Sequence, residues 1–389
     1  MTHSRMGRAF ALATVMVIAT ACSSGATTAP PTAAGGTPTP AAATPTPAGS
    51  TAATGPFSIG YSNGGGVGNG FREEQVCTAK AEVAALGTSK ISGITVIHRN
   101  TDAAGQLSDL RTLISKNVNA LVFNPNDPDA LNPALAEAHA AGIVTVSVDA
   151  YVTDPNTWNL YNNQIKYAYL GAEWLFKQMG GTGTVWYTRG LAGHPADSDR
   201  DIGFNQALKD FPNIKVQNPG GTFTGWDPAT ATQITNDEIA SGKYDKIQGI
   251  WASGMGNQIV DAIKAANKKY VPIADADVGG FVQKLLDPTD YPGLIGAAVT
   301  NTASVGGAGV KLAYELLTGQ TVTQTPGAGR PNTILLDPVI LDNTTDQGKA
   351  DLQKWISVQG MDPSWPLSLA IPGWADYDPA TVPASCKGA

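Results

Sequence analysis

The sequence predicts an α/β protein that contains two doubly wound parallel sheets, organised as two Rossmann-like lobes. Three observations support this fold class. Apolar runs of strand length alternate with segments of helical periodicity, and this alternating series occurs twice along the chain. The runs are apolar without interruption, as in parallel strands that helices cover on both faces. The chain that carries them, from about Pro56 to Ala389, is too long for one modest core.

One complete β-α-β unit shows the pattern most clearly. Ala120–Phe123 and Ile143–Val148 are apolar runs of strand length. Between them, Asn132 and Pro133 are expected at the N-cap and first position of a helix that Gly142 ends. The unit therefore predicts two parallel strands and the helix that connects them.

Polar residues follow both strands of this unit. Asn124 comes directly after the first strand, and Asp149 comes directly after the second. Open α/β sheets bind ligands beyond the carboxyl ends of their strands. We therefore expect both side chains at a ligand-binding site.

The other elements follow in chain order. Before this unit, strands and helices alternate at Phe57–Tyr61, Glu73–Leu86, Ile94–Ile97 and Ala103–Lys116. After it, helices and strands alternate at Tyr167–Met179, Thr184–Tyr187, Ile202–Asp210, Ile214–Val216, Ala229–Ala240, Ile247–Trp251, Gln258–Ala266 and Val271–Ala274. A strand, a helix and a final strand complete the series at Leu294–Val299, Val305–Leu317 and Ile334–Leu341.

The N-terminus, residues 1–22, has the features of a bacterial lipoprotein signal peptide. A basic start precedes an apolar run at Ala9–Ala19, which is shorter than the roughly 20 residues of a membrane-spanning helix. The sequence up to Cys22 resembles a lipobox, whose cysteine is lipidated, although Ala19 stands where leucine is usual. We expect an extracytoplasmic protein anchored to the cell membrane by lipid, with ordinary cleavage and free secretion as the alternative.

Residues 23–55 contain no charged residue and consist almost entirely of Ala, Thr, Pro, Gly and Ser. Such a segment cannot bury enough apolar surface to offset the entropy lost on ordering, so we predict a disordered tether. The net charge of −7 and the lack of a basic cluster argue against nucleic acid as a partner.

Three cysteines are few for a secreted chain. With Cys22 lipidated, Cys77 and Cys386 remain, and an oxidising compartment favours a disulfide between them. Two separate thiols are the alternative.

Motifs for catalysis, cofactors and metals do not match. The glycine-rich loop GGGVGNG fits neither the P-loop nor a dinucleotide-binding fingerprint, so no cofactor is expected. None of the four histidines, His3, His98, His139 and His194, pairs with a nucleophile motif such as G-x-S-x-G, which argues against a serine hydrolase. The acidic residues Asp197, Asp199 and Asp201 lack the twelve-residue calcium pattern, so no metal is expected. The same glycine-rich loop is expected to present Asn69, Phe71 and Arg72 to a cleft.

A family resemblance is carried by four segments: ALVFNPNDPDALNPALAEAHAAGIVTVSVDA, RGLAGHPADSDRDIGF, TGWDPATA and GGAGVKLAYELLTG. From Phe57 to Leu341 the chain resembles the sugar-binding lipoproteins of the ribose and galactose type of periplasmic binding protein. The resemblance implies the type I fold, in which two lobes joined by three crossing segments bind a sugar between them. It also implies a monomer without a cofactor, which delivers its ligand to an ABC permease and the ATPase of that permease.

The domain organisation follows from the elements and this resemblance. We predict an N-terminal lobe at 56–161 with 300–323, a C-terminal lobe at 162–299 with 333–342, and a C-terminal extension at 343–389. Periodicity is lost at Asp149–Asn162, Leu294–Asn301 and Thr318–Asn332, which are the predicted hinge segments. The extension contains tryptophans among prolines and is expected to pack on the surface.

Carrying the family's ligand-binding positions over to this sequence gives a set of candidates. Asn69 and Phe71 match a polar and an aromatic contact, Asp149 a carboxylate, Asn162 a polar position, Arg200 an arginine and Trp226 an aromatic wall. Asp277 matches a second carboxylate, with Asp275 as the alternative, and Asn301 matches an amide, with Thr300 as the alternative. Carboxylates accept hydrogen bonds from hydroxyl groups, arginine and amides donate to oxygen, and aromatic faces cover C–H surfaces.

Each candidate also fits a structural role. Phe71 and Trp226 are compatible with lobe cores, Asp149 and Arg200 with surface or inter-lobe ion pairs, and Asn162 with a helix cap. Their joint occurrence near strand ends favours the cleft. Ala150 and Gly254 replace residues that ribose binders carry, which argues against ribose itself within the predicted ligand class.

The charges of the predicted cleft are balanced, because Asp149 and Asp277 oppose Arg72 and Arg200. This balance predicts a neutral pentose, hexose or polyol. Three other functions share some of these features: a secreted carbohydrate-active enzyme, the effector module of a LacI-type repressor and the ligand-binding module of a sugar-sensing or chemotaxis system. The signal peptide argues against the repressor, whereas the sequence does not distinguish transport from sensing.

Overall fold

The computed structural model describes residues 54–65, 67–355, 361–367 and 370–386. The predicted signal peptide, the lipidation site Cys22 and nearly all of the predicted tether lie outside the described residues. Within the described part of the chain, no helix combines the length and the apolarity needed to cross a membrane.

Strands and helices alternate along most of the chain. The first series is β1 Phe57–Asn63, α1 Gly70–Leu86, β2 Ile91–His98, α2 Ala103–Ser115, β3 Ala120–Asn124, α3 Asn132–Ala140, β4 Val144–Val148 and β5 Trp158–Asn162. The second is α4 Gln164–Gln178, β6 Gly183–Arg189, α5 Pro195–Asp210, β7 Ile214–Val216, β8 Thr222–Phe223, α6 Pro228–Ala240, β9 Gly249–Trp251, α7 Gly256–Ala265, β10 Ile273–Ala276, α8 Gly279–Leu285 and β11 Gly296–Val299. The chain ends with α9 Val305–Leu317, β12 Thr333–Leu336, β13 Ile340–Asp342, α10 Asp346–Trp355 and α11 Val382–Ser385.

These elements form two separate sheets, as the sequence predicts. The first is a six-stranded sheet in the order β12-β5-β4-β3-β1-β2, and all its strand pairs are parallel. The second is a seven-stranded sheet in the order β13-β11-β10-β9-β6-β7, with β8 also paired to β6. In this sheet only β13 runs antiparallel to its neighbour. The predicted fold class of two parallel-sheet α/β lobes is therefore confirmed.

Burial on both faces of the first sheet explains why its strands are continuously apolar. In β3, Val122 packs into the core beneath α1 and α9, whereas Leu121 and Phe123 pack into the core beneath α2 and α3. All three side chains are fully buried. Alternate residues of a strand point to opposite faces, so a strand in the middle layer needs apolar side chains at every position.

The predicted start of α3 is wrong. The helix begins at Asn132, and the N-cap position is held by Leu131 without a side-chain hydrogen bond. The Asn132 amide instead donates to the Thr153 hydroxyl at 2.8 Å, which fastens the helix to a neighbouring loop. Pro133 takes the second helical position, and Gly142, with φ of 72°, follows the C-cap as predicted.

The predicted final strand at Ile334–Leu341 is also wrong, because this run forms two strands in different sheets. Leu336 pairs with Asn162 in the first sheet, whereas Ile340 pairs with Val299 in the second. Pro338 lies between them and has no N–H group to donate to a sheet. Residues 333–336 thus belong to the first sheet, not to the C-terminal lobe as predicted.

The crossings between the sheets differ accordingly from the predicted hinges. The chain leaves the first sheet after β5, at Asn162, so Asp149–Asn162 contains a strand of that sheet. It leaves the second sheet after Val299 and crosses for the third time at 337–339. The third crossing therefore does not lie in Thr318–Asn332. Periodicity is lost in that segment because it is a loop beside the first sheet.

The C-terminal extension contacts both lobes. Leu352 of α10 is buried in the core of the second lobe. Val382, in contrast, is buried in a cluster with Cys77 of α1. Cys77 and Cys386, the pair predicted from the sequence, are bonded to one another with their Cα atoms 4.7 Å apart.

Glycines allow α9 to lie close to α1 and to the first sheet. A Cβ atom on Gly306 would lie 2.0 Å from the carbonyl oxygen of Gln75, and one on Gly309 would lie 2.4 Å from the Val148 side chain. The Gly306 contact is with a backbone atom, which cannot rotate away as a flexible side chain can. We predict that Gly306→Ala lowers the free energy of unfolding by about 1–3 kcal/mol through overpacking.

Urea unfolding measures this difference. Gly93→Ala is the matched control, since no atom lies within 4 Å of the added Cβ position. Equal stability of the Gly306→Ala and Gly93→Ala variants would contradict the proposed close approach of α9 to α1.

Candidate ligand-binding site

A cavity of about 80 Å³ lies where the carboxyl ends of strands from both sheets meet. A single water molecule needs roughly 10–15 Å³ of such cavity volume, so the cavity accommodates a small molecule. The cavity is lined by most of the predicted ligand-binding residues: Asn69, Phe71, Arg72, Asp149, Arg200, Trp226 and Asn301. Asn162 and Asp277 do not line it.

The N-terminus of α1 supplies the first group of lining residues and contacts the second lobe. Asn69 caps the helix, because its side-chain oxygen accepts a hydrogen bond from the Arg72 N–H at 3.2 Å. Its side-chain NH₂ donates to the carbonyl oxygen of Trp226 at 3.0 Å. Arg72 is buried and donates from Nη1 to Asn63 Oδ1 at 2.7 Å. The lobes are therefore closed over the cavity.

Asp149 follows β4 and is buried beneath the cavity with φ of 66°. Its Oδ2 accepts a hydrogen bond from Asn124 Nδ2 at 2.9 Å, and its Oδ1 lies 3.5 Å from Gln164 Nε2. Burial raises the pKa of this carboxyl, while the positive charges of Arg72 and Arg200 oppose that change. A carboxylate has room for about four hydrogen bonds, so further donors can be accepted from the cavity.

Arg200 of α5 provides a buried cation on the opposite side. It donates from Nε to Gln164 Oε1 at 2.8 Å and from Nη1 to the carbonyl oxygen of Ser253 at 3.2 Å. The guanidinium carbon lies 4.4 Å from the ring centre of Tyr167 and 5.3 Å from that of Trp226. Aromatic faces stabilise a cation that has been removed from water.

Trp226 forms an aromatic wall of the cavity. Its indole N–H donates to the carbonyl oxygen of Ser253 at 2.9 Å, which fixes the ring. Gly190 lies directly against the ring, since a Cβ atom at that position would come within 1.9 Å of it. The polar edge of the indole is thus bonded to protein, which leaves the ring to contact apolar surface of a ligand.

The second carboxylate predicted from the sequence is not at the cavity. Ala276 and Val278 line the cavity, so the alternating side chains of Asp275 and Asp277 point away from it. Asp275 accepts backbone hydrogen bonds from Gly254 and Gly256, and thereby holds the loop after β9. Burial raises the pKa of Asp275 to about 7, against the effect of these N–H donors.

Asp277 and Asn162 support the site from behind. Asp277 Oδ1 accepts from the backbone N–H of Asn301 at 2.9 Å, which positions a lining residue. Asn162 donates from Nδ2 to the carbonyl oxygen of Thr302 at 3.1 Å, and its amide acts to lower the pKa of the Asp149 carboxyl. Both residues hold crossing segments in place. The family pattern alone does not distinguish this role from ligand contact.

Two buried residues of the site were not predicted. Gln164 directly follows the first crossing and bonds Arg200 as well as Asn301, at 2.9 Å from its Nε2 to Asn301 Oδ1. The polar run Asn162-Asn163-Gln164 was the available signal in the sequence. His194 lies in the loop before α5 and places Nε2 3.0 Å from Arg72 Nη2.

His194 is a neutral hydrogen-bond acceptor in the closed cleft. Burial, together with the charges of Arg72 and Arg200, holds the pKa of His194 well below its usual value. Each ring nitrogen faces an N–H donor, Arg72 Nη2 at Nε2 and the Ala196 N–H 3.2 Å from Nδ1, and this arrangement opposes protonation of both nitrogens. The ring also packs edge-on against Trp226, with the ring centres 5.1 Å apart.

The described residues contain no group of three or more His, Cys, Asp or Glu side chains placed to hold a metal ion.

Solved structures that are similar to this chain include binding proteins of ABC transporters. An ABC transporter solute-binding protein from Thermobispora bispora matches with a TM-score of 0.68 and 22% identity, over 80% of this chain and 90% of that one. The arabinose-binding component from Shewanella sp. ANA-3, bound to L-arabinofuranose, matches with a TM-score of 0.66 and 20% identity, over 76% of this chain and 95% of that one. These similarities define the type I periplasmic binding protein fold.

The family is defined by sequence as well. Residues 59–321 match the family model of the periplasmic binding protein domain, and the chain belongs to this family. A xylitol-binding protein of Mycolicibacterium smegmatis is 26% identical over 58% of this chain and 64% of its own length, which is less than two thirds of that relative. A ribose import binding protein of Haemophilus influenzae is 24% identical over 59% of this chain and 76% of its own length.

Asp277 is a fully buried carboxyl whose ionisation opposes folding. Burial raises the pKa of Asp277 to about 6, and Oδ2 has no hydrogen-bond partner among the described residues. The nearby Glu74 carboxyl is also buried, and its pKa lies well above the usual value. Because the folded pKa of Asp277 exceeds the unfolded value of about 4, its contribution to stability is complete below pH 4 and lost as pH rises through about 6.

Asp277→Asn keeps an acceptor for the Asn301 N–H and removes the buried charge. We expect the variant to be more stable than the native protein at pH 8, by on the order of 2 kcal/mol, with the gain disappearing near pH 4. Urea unfolding at both pH values measures the change. The control is Asp346→Asn, since Asp346 is fully exposed. A gain that is the same at both pH values would contradict titration of Asp277 in this range.

Proposed function

We propose that the protein is the extracytoplasmic solute-binding component of an ABC importer and binds a neutral monosaccharide or polyol in the cleft. The observation that carries the proposal is that the buried Asp149 and Arg200 both line one cavity, which also has an aromatic wall. The carboxylate accepts hydrogen bonds from hydroxyl groups, and the guanidinium donates to hydroxyl or ring oxygens. Trp226 covers the C–H face of the same ligand.

The hydrogen bonds of the arginines favour a neutral ligand. Asp277 points away from the cavity, so Asp149 alone opposes the charges of Arg72 and Arg200 there. However, Arg72 donates to Asn63 and His194, and Arg200 donates to Gln164 and Ser253. These bonds occupy two of the five N–H donors of each arginine and partly satisfy both cations within the protein, while the remaining donors can bind neutral hydroxyl or ring oxygens. The names of the relatives, a xylitol-binding and a ribose import binding protein, support the same ligand class.

The partners and the location are part of the proposal. A permease and its ATPase would receive the ligand, and lipidation at Cys22 would anchor the chain to the membrane as a monomer. The family's extracytoplasmic role supports this location. A sensory receptor as the downstream partner is the alternative, and no catalytic step is proposed.

A binding panel of pentoses, hexoses, polyols, sugar acids and sugar phosphates tests the proposal. We expect a neutral sugar or polyol to raise the melting temperature most and to bind with a Kd near micromolar, about −8 kcal/mol, by calorimetry. The ligand should be recovered unchanged after incubation. Tight binding of a sugar phosphate without binding of a neutral sugar, or conversion of the ligand, would contradict the proposal.

Variants of the cavity extend this test. Asp149→Ala should weaken binding at least about tenfold, because a hydrogen bond to a charged group contributes roughly 1.5–3 kcal/mol. Trp226→Ala should also weaken binding, and Trp226→Phe should weaken it less because it keeps an aromatic face. Asp245→Ala is the control, since Asp245 pairs with Lys268 and is more than half exposed. All four variants are expected to remain folded, and unchanged affinity of Asp149→Ala would overturn the assignment.

Closure of the lobes is proposed to be linked to pH through His194. Periplasmic binding proteins close around their ligands by hinge motion. Closing buries His194 against Arg72 of α1, beside Arg200 of its own helix and the ring of Trp226. In an open form the ring would be exposed, with a pKa near the ordinary value of about 6.5. Because closing lowers this pKa, ligand affinity should be complete above about pH 6.5 and fall as pH decreases.

Below about pH 6.5, Kd is expected to rise by up to about tenfold for each unit by which the pH decreases. Calorimetry with the best ligand of the panel, between pH 5 and pH 8, measures the profile. His194→Gln should flatten it, whereas His139→Gln should not, because His139 pairs with Asp154 away from the cavity. An identical slope in the native protein and the His194→Gln variant would exclude His194 as the titrating group.

A further inference from the structure

We propose that the C-terminal extension, at residues 361–367 and 370–386, is a clasp that forms one wall of the ligand cavity and fastens the two lobes there. Ser364 and Pro366 line the cavity. They are the residues of the clasp that would contact a ligand. This inference rests on the proposed function and adds a determinant of specificity to it. The family match ends at residue 321, so this wall belongs to a segment outside the matched domain.

The first part of the clasp is bonded to the second lobe through backbone. The N–H of Gly279 donates to the carbonyl oxygen of Trp365 at 2.7 Å, and that of Gly280 donates to Pro363 at 2.6 Å. The N–H of Leu367 donates to the carbonyl oxygen of Asp277 at 3.1 Å. These bonds hold the segment against the loop between β10 and α8, beside the lining residue Val278.

The same segment touches the first lobe at the start of α1. A Cβ atom on Gly70 would lie 2.2 Å from Ser364 Oγ and 2.4 Å from the Ser364 carbonyl oxygen. Only glycine permits this contact, and Gly70 lies between the lining residues Asn69 and Phe71. Trp365 packs into the cluster that contains Cys77 of α1. The clasp therefore contacts both lobes at the cavity itself.

The second part of the clasp is fastened to the first lobe. The N–H of Asp376 donates to Glu82 of α1 at 2.9 Å, and its carboxylate pairs with Lys311 of α9 at 2.7 Å. The disulfide from Cys386 to Cys77 closes this attachment covalently. Since Leu352 of α10 packs in the core of the second lobe and Val382 packs against the first, the chain passes between the lobes a fourth time along the extension.

The clasp presents a defined surface to a ligand. Asp362 Oδ1 accepts hydrogen bonds from the Ser364 N–H at 2.8 Å and from its hydroxyl at 2.7 Å, which fixes the turn. The hydroxyl oxygen can still accept a hydrogen bond from a ligand hydroxyl. Pro366 adds a rigid apolar surface next to Val278, with which it forms a β-bridge. The wall thus has one polar and one apolar contact, which would discriminate between hydroxyl arrangements.

The first test replaces the polar contact in the full-length protein. Ser364→Val should bind the best member of the panel, with xylitol and D-ribose included as probes, at least about tenfold more weakly. It should also change the order in which the panel members bind. Ser385→Val is the matched control, because Ser385 lies in the same extension away from the cavity. Native affinity and an unchanged order in Ser364→Val would overturn the role of the clasp as a wall.

The second test removes the disulfide that attaches the clasp to the first lobe. The double variant Cys77→Ser, Cys386→Ser should release ligand at least about tenfold faster than the native protein in stopped-flow measurements of tryptophan fluorescence. Should it fail to fold, Lys311→Met removes the Asp376 pair with the disulfide intact and should speed release at least about twofold. An unchanged rate in the folded variant would overturn the fastening role.

The outcomes separate the two proposals. If the native protein binds no member of the panel, the proposed function fails and the clasp fails with it. If the native protein binds and both the Ser364→Val variant and the released variant behave like the native protein, only the clasp is overturned.

Discussion

The site depends on one buried amide that joins the charged groups of the two lobes. Gln164 accepts from Arg200 at 2.8 Å and places its NH₂ group 3.5 Å from Asp149 Oδ1 and 2.9 Å from Asn301 Oδ1. A buried charge is strongly unfavourable unless hydrogen bonds replace its water. The amide supplies such bonds to both charges without neutralising either of them. Asp149 and Arg200 therefore keep hydrogen-bonding capacity for a ligand that also offers both donors and acceptors.

Close backbone contacts determine where this network lies. Gly171 of α4 allows the helix to approach Trp251 of β9, since a Cβ atom there would come within 2.2 Å of the indole. Gly190 makes room for Trp226, and Gly70 makes room for Ser364 in the same way. Each contact brings a loop or helix end to the cavity at a fixed distance. Interiors are close-packed, so a change of one methyl group at these positions moves the elements that carry the site.

The sequence alone determined the two alternating series of strands and helices and the burial of the central strands. It also brought Asn124 and Asp149 together at the site, because parallel strands of one sheet end at the same edge. Asp149 follows β4 directly, so its position is determined by the strand that precedes it. α9 has the predicted limits Val305–Leu317, since apolar periodicity and the preceding strand both constrain it. The family pattern added Arg200 and Trp226, which lie outside the strands.

Only the tertiary structure decided which side chains face the ligand and which strands pair. Asp277 was predicted as a ligand contact, but Ala276 of β10 and Val278, which follows this strand, line the cavity instead. The apolar run at Ile334–Leu341 indicates burial, but it does not indicate which strands it pairs with. Its two halves pair with Asn162 and Val299 in different sheets. The wall supplied by the extension depends on contacts with residues distant in sequence. Local patterns encode periodicity and burial, whereas partners and directions result from long-range packing.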